Sequence, residues 1–138
     1  MIDIENDVID NVGAAVRAAH PGIWFVGEYV PAPASFPAAM IHEADNRVFE
    51  RVRSSSGLEN GVRVMYEAQA FSNKTTGRKA EARAIIKTID DAMTAMGFTR
   101  TFLDAVPNLQ EASIFRYLAR YEAVVSTEYD GKFLIFHN

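Results

Sequence analysis

The feature that most restricts what this chain can become is one amphipathic run. Within residues 78–96, Ala82, Ile85, Ile86, Ile89, Ala92, Met93 and Met96 recur at intervals of three and four, the signature of a helix with a single buried side. Gly97 follows directly and predicts a left-handed C-terminal cap. A second run near the start shows the same recurrence at Ile4, Val8, Ile9, Val12, Ala15, Val16 and Ala19, and His20-Pro21-Gly22 ends it. Helices that are apolar on one side only need another layer to lie on.

The rest of the chain supplies strands for that layer. Residues 23–30 are rich in β-branched and aromatic side chains. Pro31, Pro33 and Pro37 then make an extended loop, because each fixes its own φ and turns its predecessor away from helix. Residues 40–45 read as a second strand, and 48–56 fit a short helix or a strand equally well. Val62, Val64, Tyr66, Ala68 and Ala70 alternate with more polar residues. They follow turn chemistry at Ser54-Ser55-Ser56-Gly57 and Glu59-Asn60-Gly61, which predicts a hairpin. Further strands are expected at 98–103 and 132–136, with a loop around Pro107-Asn108 and a hairpin signal at Asp130-Gly131. Residues 114–126 conflict: Phe115, Leu118, Tyr121 and Val125 have helical spacing, whereas the β-branched and aromatic content and the turn that follows favour a strand, the reading adopted. The layout predicts an α+β fold, an antiparallel or mixed β-sheet with two main helices packed on one face. No linker or repeat divides the chain, so residues 1–138 read as a single domain.

Composition narrows the functional classes. A chain of 138 residues buries a little under ~70% of its unfolded surface, enough for one core. With no cysteine there is no disulfide, thiolate metal site or thiol nucleophile. A formal charge of −4 and a pI near 5.3 oppose tight binding to phosphates, although a weakly acidic surface suits a channel past which DNA slides. Met1-Ile2-Asp3-Ile4-Glu5 opens with acids where a signal peptide has basic residues, and no apolar run reaches the ~18 residues of a membrane span. A cytoplasmic protein that enters no membrane is expected.

No catalytic constellation stands out. His20, His42 and His137 are far apart and outside any ligand spacing, so they read as surface or loop histidines. Asp90-Asp91 and Glu81 read as a solvated helix face, since neighbours on a helix diverge by ~100°. Gly77-Arg78-Lys79 lacks the further glycines and hydroxyl of a phosphate loop, and there is no Gly-x-Ser-x-Gly elbow. Neither catalytic residues, metal nor cofactor are expected. One anomaly remains on the main helix: Arg78 and Lys79 occupy its positive end and Asp90 and Asp91 its last turns, the reverse of what the helix dipole favours. Either these are tolerated surface charges, or the basic end meets an acidic patch on a neighbouring subunit.

Several patterns, taken in order, resemble the tail-terminator (tail-completion) proteins of long-tailed bacteriophages. They are Phe36-Pro37, Glu43 with Asp45-Asn46, Phe71-Ser72-Asn73, Gly77-Arg78-Lys79-Ala80-Glu81, Ile89-Asp90-Asp91 with Met93, Gly97-Phe98 with Arg100, and Arg116 with Arg120-Tyr121. The resemblance spans roughly residues 22–125. It implies a structural virion protein rather than an enzyme: a six-fold ring of copies of this chain on the completed tail tube, which stops tube growth and presents the surface that joins the head. The implied partners are its own copies, the tail tube protein and a head-closure or neck protein, with DNA passing through the lumen unbound. The implied place is the tail-neck junction of the virion, after assembly in the bacterial host cytoplasm. Arg78, Lys79 and Arg83 would touch a neighbouring subunit, and Phe36, Ser54, Ser55, Glu59 and Asn60 the tube or neck. For this length a subunit is ~37 Å across, and six touching spheres leave a hole of similar width, wider than a duplex. A head-closure or neck connector remains the alternative, followed by a small enzyme or ligand-binding domain using His42 with Glu43 or Asp45.

Overall fold

The computed structural model describes residues 2–48, 61–107 and 111–126, and the backbone of 135–136. Its elements are α1 (Glu5–Ala19), β1 (Trp24–Val26), β2 (Ala38–Val48), β3 (Gly61–Ser72), α2 (Arg78–Ala95), β4 (Thr99–Ala105), β5 (Phe115–Ser126) and β6 (Ile135–Phe136). The strands form one mixed sheet in the order β1-β2-β3-β5-β4, and β6 also pairs with β5. Among the described strands only β1 with β2 is parallel; the other pairings are antiparallel. The expected α+β architecture is present, with both helices on one face.

Period-two alternation decides which side chains those helices cover. On β3, Val62, Val64, Tyr66, Ala68 and Ala70 face them, and on β5 so do Tyr117, Ala119, Tyr121, Ala123 and Val125. Against these lie Ile4, just before α1, with Val8, Val12 and Val16 of that helix, and the full predicted stripe of α2. Each such Ile or Val, removed from water, contributes roughly 1.5–3 kcal/mol. α1 touches β1 and β2, whereas α2 lies over β3, β5 and β4. The small side chains Ala39, Ala68, Ala70, Ala119 and Ala123 let the helix layer approach the sheet closely. The other face holds a smaller cluster of Ala38, Met40 and Phe71, covered by Trp24, Val26, Val30, Phe36 and Ile114.

α2 ends as its glycine predicts. Gly97 has φ +101°, its N–H reaches the Thr94 carbonyl at 3.0 Å, and the Phe98 N–H reaches that of Met93 at 3.0 Å. This double closure satisfies two carbonyls of the last turn and needs a residue that tolerates positive φ. Phe98 then turns inward and meets the Tyr66 ring edge-on, with centroids 5.5 Å apart.

Residues 114–126 resolve to strand β5, paired on both sides, so burial on two edges outweighs the helical spacing. The strand expected over 23–30 is only Trp24–Val26, because the chain then crosses to the other face, where Val30 and Phe36 pack. β2 begins earlier and ends later than 40–45, and β4 runs to Ala105. β2 and β3 pair as the predicted hairpin, but residues 49–60, including the turn and most of the ambiguous stretch, lie outside the described residues. The same holds for Asp130-Gly131, although β5 and β6 pair antiparallel. No helix among the described residues is long and apolar enough to cross a membrane.

Candidate functional site

The side of α2 away from α1 faces β4 across a cleft of about 250 Å³, lined by Arg83, Ile86, Lys87, Asp90, Asp91, Arg100, Leu103 and Tyr121. The helix places Lys79, Arg83 and Lys87 at four-residue intervals, which puts them on one side. Arg83 donates from Nη1 to the Tyr117 hydroxyl at 3.3 Å, and its guanidinium lies 5.7 Å from that ring's centre. Arg100 arrives from β4 because the register of β4 shifts between Arg100 and Phe102. The irregularity turns Arg100 toward the helix layer and leaves Phe102 on the other face.

At the centre of the cleft Asp90 accepts two bonds at Oδ1, from the Tyr121 hydroxyl at 2.9 Å and from Arg100 Nη1 at 3.1 Å. Burial, then the hydrogen bond to Asp90, push the Tyr121 phenol well above its ordinary range. Asp90 is therefore a structural acceptor and not a solvated charge. Glu81 is corrected likewise: Ser72 donates to it at 2.6 Å and Lys74 lies 3.6 Å away. Of the reversed charges on α2, Asp90 is thus held by bonds to the sheet, which outweigh the few tenths of a kcal/mol at stake in the dipole.

A matching pair lies one strand away. Tyr66, directly opposite Tyr121 in the sheet, donates to Glu43 at 2.8 Å. Burial, then the bond to Glu43, raise its phenol in the same way. Here, however, the surrounding charge is negative. Glu5 of α1 has its carboxyl pushed up by burial, then by Glu43 and Asp3, with His42 opposing.

Of the sequence-predicted interface residues, Arg83 enters the cleft, and Lys79 is exposed on the same helix side. Arg78 diverges and reaches toward the Lys74 carbonyl at 3.5 Å. Phe36 is half-buried against Ala38, Met40 and Phe71. Ser54, Ser55, Glu59 and Asn60 lie outside the described residues. Lys87 and Arg100 were not anticipated. The 79, 83, 87 recurrence could have revealed the first, but nothing in the sequence signals that β4 delivers the second.

The histidines do not gather. His20 caps the end of α1, and its Nε2 lies 3.0 Å from the Thr88 hydroxyl. Because Thr88 gives its own proton to the Ala84 carbonyl, His20 is the donor of the pair. It is an interhelical tie rather than a surface histidine. His42 points away from the helices and meets Tyr29 edge-on at 5.9 Å, while Glu43 faces the helices. His137 lies outside the described residues, among which no group of three or more metal-ligating side chains occurs. On the face of His42, the buried nitrogens His42 Nδ1, Gln69 Nε2 and Arg116 Nε have no hydrogen-bond partner among the described residues.

No protein family known from sequence matches this chain, and no curated protein matches it.

Proposed function

We propose that this chain is an assembly subunit of the phage tail-terminator type, forming a ring on the end of a finished tail tube and offering the surface that the head joins. The observation that carries the reading is the ordered run Asn73, Gly77-Arg78-Lys79-Ala80-Glu81, an 18-residue helix, then Gly97-Phe98. Its members dock α2 on the sheet: Glu81 ties the first turn to Ser72, and Gly97-Phe98 close the last. The resemblance thus rests on how the main helix is seated. The chemistry of the cleft supports a binding role over catalysis. Its central carboxylate is occupied by a phenol and a guanidinium, and that phenol is shifted away from the neutral range in which a general base works.

The test is binding to tail tubes assembled from a long-tailed-phage tube protein, viewed by electron microscopy with the chain gold-labelled. Label at one end, with tube growth arrested, is the expected result. Label along the sides, or none, overturns the reading, and binding to DNA-filled heads without tails replaces it with the neck-connector alternative.

A further inference from the structure

The charged side chains are unevenly divided between the two halves of the molecule. Around the far side of α2, Lys79, Lys87, Arg83 and Arg100 are exposed, and the last three line one cleft. Arg100 is bonded to Asp90 and Arg83 to a neutral phenol, so the cations of this region exceed what its two cleft acids balance. Over the β1–β2 half, the start of α1 carries Asp3, Glu5, Asp7 and Asp10, with Glu43 of β2 beneath. Arg17, at the other end of α1, is taken up by the Phe25 ring 5.2 Å away. Burial first, and then the like charges of Glu43 and Asp3, push the Glu5 carboxyl up. α1 packs on β1, β2 and α2, whereas the cleft is lined by α2, β4 and β5, so the acidic start of α1 lies outside the basic cleft of its own chain.

We infer that the cleft between α2 and β4 is the docking surface for the acidic start of α1 from a second copy of this chain, giving a head-to-tail contact. The inference rests on the ring reading and specifies which surfaces meet. Charge complementarity selects the occupant. Asp90 and Asp91 in the cleft disfavour a phosphate backbone, in which every unit is anionic, whereas carboxylates spaced along a helix can settle beside Lys79, Arg83 and Lys87. Because both surfaces belong to the same chain and differ, the contact is heterologous and propagates to a ring or a helix. Exposed pairs of this kind orient the encounter and weaken with salt.

The experiment is solution mass by light scattering on three proteins: the wild type, a basic-side variant (Lys79→Glu with Lys87→Glu) and an acidic-side variant (Asp3→Lys with Asp10→Lys). Circular dichroism checks that each is folded. At low salt the wild type should rise with concentration from 15.3 kDa toward a closed multiple. Each variant alone should need at least a tenfold higher concentration. An equimolar mixture should recover wild-type assembly, because each reversed surface then finds an opposite one. Variants that assemble like the wild type, a mixture that does not recover, or a wild type that stays at 15.3 kDa would each overturn the inference. A monomer that still caps tubes overturns this contact and leaves the terminator reading standing. A wild type that assembles through these surfaces but ignores tubes does the reverse.

Discussion

Tyr66 and Tyr121 sit opposite one another on adjacent strands under the helix layer, and each donates its hydroxyl to a carboxylate. The resemblance ends at the charges around those carboxylates. Glu43, which receives Tyr66, has Glu5 and Asp3 nearby, whereas Asp90, which receives Tyr121, also holds Arg100. Two chemically equal bonds therefore sit in different charge settings: the charged neighbours of Tyr66 are all acids, whereas beside Tyr121 Arg100 opposes Asp90 and Asp91. The difference shows that an even sheet core can carry two electrostatically distinct sides, which is the asymmetry that the proposed directional contact uses.

The largest test of the comparison is Phe98→Ala, which removes the ring standing edge-on to Tyr66 while keeping the Tyr121 bond to Asp90. A loss of about 3–5 kcal/mol is expected from the cavity, read as a lower denaturant midpoint at unchanged slope. Alkaline titration comes next. Both phenols are held above their ordinary value of 10.0 in the folded state. Their contribution is therefore complete below pH 10 and lost as pH rises beyond it, by up to about 1.4 kcal/mol per pH unit for each. Tyr66→Phe combined with Tyr121→Phe should flatten that decline, and an unchanged slope would mean that the two phenols titrate normally.

At neutral pH the single changes should separate the two sites. Tyr66→Phe strands Glu43 and should cost about 1–3 kcal/mol, while Tyr121→Phe should cost less because Asp90 keeps Arg100. Equal costs would break the comparison. If it holds, Tyr121→Phe in an Arg100→Ala background should approach the cost of Tyr66→Phe. The smallest effect belongs to Glu5→Gln. A carboxyl whose folded pKa is raised contributes stability below its ordinary value and loses it as pH rises through the raised one. The variant should thus match the wild type at pH 3 and melt slightly higher at pH 7.

Both helices, the closing glycine and the β2–β3 pairing were legible because each is written in local periodicity or in one residue's φ preference. The interior of α2 followed directly, since seven apolar residues at helical spacing admit one buried side. The candidate site was legible only in part. Lys79 and Arg83 were visible as charges at the start of a helix, but Asp90 was misread as solvated. Its partners Tyr121 and Arg100 lie 31 and 10 residues away, and only strand pairing brings them together. The strand expected beyond Val26 failed for a similar reason: β propensity measures how residues suit a sheet, not whether a neighbouring strand is there to pair.

Sequence alone therefore determined the two helices, the buried stripes and the absence of a thiol or a dense cationic face, all properties of composition and short-range spacing. Tertiary structure decided which charges are spoken for. A hydrogen bond needs its partners within about 3 Å, and the register of β5 between β3 and β4 sets those distances for Tyr66, Tyr121 and Arg100.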